Sequence, residues 1–129
     1  MAKKKLDAET RRKLLGLMPV SNNFVVEYVP SVYKDIPDEF KPVFQIKPWT
    51  QSELKKLSLI GEDVDKATDE LRRKIVGWKN VILMDDDSEV AFETDEKGFC
   101  KKELLDSFPM MVLVDILKEI TRISGAAIA

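Results

Sequence analysis

The chain has 129 residues, 44% hydrophobic and 34% charged, with a formal net charge of −2. That length makes one domain able to bury a core without disulfide or metal, and the near balance of charge excludes a field that recruits nucleic acid over the whole surface. There is no histidine and a single cysteine, Cys100, which removes the usual neutral-pH general base, the Ser-His and Cys-His pairs, the commonest zinc ligand and any intrachain disulfide.

In chain order, Lys3 to Met18 reads as a helix with Leu6, Leu14, Leu17 and Met18 as a thin apolar face. Lys3, Lys4, Lys5, Arg11, Arg12 and Lys13 outnumber Asp7 and Glu9 there. Residues 1–20 are therefore taken as a basic N-terminal arm, and 21–129 as a single α+β domain. The arm is either a grip on nucleic acid or an acidic partner, or a solvated helix docked by its leucines. No aromatic residues interleave the charges as stacking platforms would, which favours the second reading. No apolar run follows the lysines, so no secretory signal is expected.

After a linker at Pro19 to Asn23, the segment Asn22 to Val29 alternates Phe24, Val26 and Tyr28 against Val25, Glu27 and Val29, the pattern of a strand. Pro30 to Pro42 is proline-punctuated loop. Val43 to Lys47 reads as a second strand, which pairs antiparallel with the first or with the later hairpin; the sequence does not decide between them. Thr50 and Glu53 have capping-box spacing, opening a helix from Gln51 to Ile60 that Gly61 stops. Asp63 is the expected N-cap of a helix running to Trp78, with Val64, Ala67, Leu71, Ile75 and Trp78 along one stripe and Glu70 in water near Lys74.

Val81 to Met84 and Glu89 to Glu93 flank Asp85-Asp86-Asp87-Ser88, a hairpin signature. A second turn follows at Thr94 to Gly98, then a short helix at Lys101 to Asp106. The last helix starts at Ser107-Phe108-Pro109, buries Leu113, Ile116, Leu117, Ile120 and Ile123, and frays at Gly125, Ala126, Ala127 and Ala129. Its apolar run carries Asp115, Lys118, Glu119 and Arg122, a prohibitive set at a bilayer centre, so no membrane association is expected. The expected fold is α+β: a small antiparallel sheet of two hairpin-like strand pairs against three to four helices.

Reactive chemistry is thin. Cys100 lies between Phe99 and Lys101 with no base to activate it, so a packed thiol is favoured over a nucleophile. Asp85, Asp86, Asp87 and Glu89 lack the alternating spacing and central glycine of a calcium loop. No phosphate-binding glycine loop occurs. No catalytic residue, cofactor or metal is therefore expected, and the protein reads as a non-enzyme. Trp49 and Trp78 are candidate interface anchors, with core packing as the plainer reading. Met110 and Met111 could make an adaptable partner surface, though a first turn more often faces the core.

Three segments carry a resemblance: FVVEYVPSVYKDIPDEFKPVFQIKPWTQSEL from Phe24 to Leu54, LRRKIVGWKNVILMDDDSEVAFE from Leu71 to Glu93, and KKELLDSFPMMVLVDILKEI from Lys101 to Ile120. The pattern is a strand turning through Ile46, Lys47, Pro48, Trp49 and Thr50 into a helix, then Gly77-Trp78, an acidic turn, Val90-Ala91-Phe92, and a final helix after Leu104-Leu105. It resembles small proteins from the tail-morphogenesis region of tailed bacteriophages and prophages, the tail assembly chaperone-like group. The likeness spans roughly residues 24 to 120 and includes no residue that makes or breaks bonds.

What the resemblance implies is a non-enzymatic viral protein of the host cytoplasm. Such a protein binds tape-measure or tail-tube subunits and keeps them soluble until virion assembly. The basic arm lies outside the likeness. It leaves open a structural subunit of the virion (head, connector or tail), and a homo-oligomer. Lys3, Lys4, Lys5, Arg11, Arg12, Trp49, Trp78, Met110 and Met111 are the candidate partner-binding residues. A nucleic-acid-binding module and a small enzyme stand as the lesser readings.

Overall fold

A computed structural model describes residues 5–60 and 64–125. Within them, five helices lie against one three-stranded antiparallel sheet, an α+β fold. Helix α1 (Ala8–Leu14) is capped by Asp7, whose carboxylate accepts from the Thr10 N–H at 2.7 Å. It stops short of the expected Met18 because Leu15 turns extended and Gly16 takes φ +89°, where only glycine sits cheaply. Leu17 and Met18 are consequently exposed.

Strands β1 (Val26–Tyr28), β2 (Val43–Ile46) and β3 (Ile75–Lys79) lie in that order, with both pairings antiparallel. Val26 faces Ile46 and Tyr28 faces Phe44 in the first pair, and Phe44 faces Trp78 in the second. At Gly77 the Gln45 side chain lies across the strand, its Oε1 2.4 Å from where a Cβ would stand, so a larger residue would have to push that amide aside.

Helix α2 (Gln51–Ile60) begins at the capping box. The Thr50 N–H donates to Glu53 Oε1 at 2.9 Å and the Glu53 N–H returns to Thr50 Oγ1 at 3.2 Å. Helix α3 (Val64–Lys74) returns alongside it. Glu53 pairs with Lys74 at 2.8 Å and Lys56 with Glu70 at 3.1 Å, so the two helices run antiparallel. Glu70 is buried, not solvated as expected, and its pairing across helices replaces the one along α3. The expected cap residues Gly61 and Asp63, and the chain end at Ala126, Ala127 and Ala129, lie outside the described residues.

The expected helix to Trp78 is corrected: α3 ends at Lys74 and the chain enters β3 directly. Ile75, Val76, Gly77 and Trp78 are β-branched, glycine and aromatic residues, poor in a helix and good in a strand. An i, i+3 spacing of Ile75 and Trp78 could not distinguish the two. The second strand pair is corrected as well. The 81–93 segment turns as expected, but only a bridge between Ile82 and Glu89 forms, and no further named strand. Helices α4 (Lys102–Asp106) and α5 (Met110–Ile123) close the domain.

The core centres on Phe44, Ile46, Ile75, Leu105, Ile116 and Ile120, each fully buried, which contributes about 2–3 kcal/mol per side chain. Phe44, Trp78, Phe92 and Phe108 make an edge-to-face ring cluster with centroids 4.9–6.0 Å apart. The Trp78 indole N–H donates to the Val90 carbonyl at 2.8 Å. That single bond ties the hairpin base to β3.

Candidate partner-binding surfaces

The nine candidate residues separate into three groups. Lys3 and Lys4 lie outside the described residues; Lys5, Arg11 and Arg12 are exposed on and beside α1. Trp49 and Trp78 are buried, 4% and 9% exposed, so the core-packing alternative describes both indoles. Met110 and Met111 go the other way: they are 54% and 68% exposed, where the first turn of an apolar helix was expected to face inward. The reason is rotational. Val112, Leu113 and Ile116 take the core side of α5, which leaves Met110, Met111 and Val114 on the far side.

This methionine face stands on a fixed base. One turn below Met111, the Asp115 carboxylate accepts from Tyr28 Oη at 2.5 Å, Ser31 Oγ at 2.8 Å and the Val32 N–H at 3.2 Å. Burial pushes this carboxyl upward, but the three donors outweigh it and hold it below the usual carboxylate range. Burial and the adjacent carboxylate together push the Tyr28 phenol well above its ordinary value. Val32, 41% exposed, borders the clamp. Sequence reading missed this cluster, since Asp115 drew notice only as a charge in an apolar run.

A second surface is the hairpin tip. Ile82, Leu83 and Met84 are exposed, Met84 at 84%, and Asp85, Asp86 and Asp87 follow them in solvent. The turn is ordered by Leu83 N–H to Ser88 O and Asp87 N–H to Leu83 O, both 2.9 Å. The Asp86 carboxylate caps it by accepting from the Ser88 N–H at 2.9 Å.

The third is a cleft of about 480 Å³ between the segment Gly16–Phe24 and the ends of β2, α3 and α5. Its ionisable lining residues, Lys47, Arg73 and Lys74, are all cationic. Trp49 lines its floor, held by its backbone N–H to Ser124 Oγ at 2.7 Å. At the edge of the cleft the Gly16 and Gly125 backbones touch: a Cβ on Gly125 would stand 2.2 Å from the Gly16 carbonyl oxygen.

Cys100 is fully buried, and burial pushes its thiol up to about 11, the setting of an inert cysteine. Beside it, Arg72 bonds the Cys100 carbonyl at 2.7 Å and pairs with Asp69 and Asp95. Among the described residues no group of three or more Cys, Asp or Glu side chains is placed to hold a metal ion, and no helix is long and apolar enough to cross a membrane. No protein-family model, curated protein or solved structure matches the chain.

Proposed function

We propose that this protein is a non-enzymatic assembly factor that binds another polypeptide, and that its partner is a tail protein of a tailed bacteriophage or prophage. The observation that carries the binding role is the exposed pair Met110 and Met111 on α5, over a core side that is fully packed. Large flexible thioethers in water are costly unless a partner covers them, and they adapt to irregular apolar surfaces. The resemblance along residues 24–120 supports a tail-tube or tape-measure subunit as that partner, held in the bacterial cytoplasm until it polymerises.

Co-expression with candidate tail-tube and tape-measure proteins tests this reading. The wild-type chain is expected to co-purify with one of them, and a Met110→Asp/Met111→Asp variant with unchanged circular dichroism to lose it. Failure to retain any tail protein, or retention undiminished in the variant, refutes the role of this face. The second reading, a structural virion subunit, is favoured by the exposed cations Lys5, Arg11 and Arg12. Mass spectrometry separates the two: a stoichiometric band in purified particles selects the subunit, and presence in lysate alone selects the assembly factor.

A further inference from the structure

We propose that the protein associates head to tail with a second copy of itself, the acidic hairpin tip of one copy entering the basic cleft of the next. The two surfaces have matching composition and opposite sign. The cleft offers Lys47 and Arg73 beside the apolar Met18, Val20 and Phe24. The tip offers Asp85 and Asp87 beside Leu83 and Met84.

Two of these cations, Lys47 and Arg73, have no carboxylate partner among the described residues. Lys47 Nζ bonds only a neutral partner at 2.9 Å, the Asn22 carbonyl, and Arg73 lies over the Phe99 ring at 5.1 Å. Lys74 alone is offset, by Glu53 at 2.8 Å. No carboxylate lines the cleft among the described residues. A volume of about 480 Å³ is within the range of ordinary binding clefts. The tip is also preorganised by its three turn hydrogen bonds, so inserting it orders little new chain.

Topology decides between folding back and pairing outward. Arg73 and Lys74 precede the first residue of β3, and the hairpin follows its last, Lys79. The two ends are about 13 Å apart along the strand. Trp78 pins the hairpin base at the far end through Val90. Cleft and hairpin base thus flank opposite ends of β3 in one copy, and a contact between such unlike patches of two copies repeats from copy to copy, as a ring or an open chain. A contact that rests on a few exposed charges is weak and screened by salt.

Sedimentation velocity over a concentration series tests this, at about 0.05 M and about 0.5 M salt, which brackets the change in screening. The wild type is expected to self-associate at low salt and dissociate at high salt. Arg73→Glu, at an exposed position, and the double variant Met84→Lys/Asp85→Lys should each weaken it by about tenfold or more. A mixture of the two retains one intact cleft and one intact tip, so it should form heterodimers.

A wild type that stays monomeric throughout overturns the proposal. So does association that either variant leaves intact, or a mixture that forms no heterodimer. Binding of a poly-aspartate peptide by a monomer that never self-associates would assign the cleft to a foreign acidic segment and overturn it as well. The methionine face is not part of this contact, so loss of self-association and loss of partner capture are read separately.

Discussion

Replacing Asp115 tests whether the methionine face rests on an electrostatic clamp. In Asp115→Ala, three hydrogen bonds to one carboxylate disappear. Ser31 and Val32 are exposed and recover water, so each contributes a few tenths of a kcal/mol; the half-buried Tyr28 hydroxyl loses a charge-assisted bond of about 1.5–2 kcal/mol. The expected total is about 2–3 kcal/mol, against about 1 kcal/mol for Asp115→Asn, which keeps an acceptor oxygen. Urea unfolding followed by tryptophan fluorescence reads the difference, since both indoles are in the core.

The pH dependence has a fixed sign. The Asp115 carboxyl is lowered from 3.8 on folding, so its contribution is present above that value and is lost as pH falls through the folded one. The Tyr28 phenol is raised from 10.0, so its contribution holds below that value and is lost as pH climbs past it toward the folded value. The gap between wild type and Asp115→Ala should thus be full near neutrality and close in acid. A gap under about 0.5 kcal/mol, the ordinary range of surface substitutions, or one unchanged well below the ordinary carboxylate value, would refute the clamp.

Three further outcomes are expected. Gly125→Ala combines φ +83° with a 2.2 Å clash against the Gly16 carbonyl oxygen, so it should release Gly16–Phe24 and open Trp49 to acrylamide quenching; Gly98→Ala, at φ +82° in open space, should lose only about 1 kcal/mol and leave quenching unchanged. Lys56→Ala should destabilise by about 2–3 kcal/mol by stranding the buried Glu70 carboxylate, and adding Glu70→Gln should recover part of that in urea unfolding; an additive double variant would mean that the pair does not interact. Cys100 should react with a thiol reagent at mildly alkaline pH only as fast as the protein unfolds, because the thiol is buried and pushed up to about 11; fast labelling in the absence of denaturant would contradict that.

Features that depend on neighbours in the chain were legible without a structure. Thr50 and Glu53 are three residues apart, and their reciprocal bonds form as that spacing requires. The α5 stripe from Leu113 to Ile123 needed only the helical period, and the strands themselves only two short alternating runs, but what β2 pairs with did not follow from those runs. The rest came from contacts between distant segments. Whether Ile75–Lys79 is helix or strand depends on the free backbone of β2 beside it. Whether Glu70 meets water depends on how α2 lies against α3. Met110 and Met111 face outward because the core side of α5 is already filled.

The amino-acid sequence alone determined the fold class, the Thr50–Glu53 cap of α2 and a repertoire poor in reactive groups, since these follow from composition and from spacings of two to four residues. Only the tertiary structure decided which apolar side chains remain in solvent, which carboxylate clamps Tyr28, and where Lys47, Arg73 and Lys74 converge. Those depend on segments far apart in the chain, held together by burial and paired hydrogen bonds that no local spacing encodes.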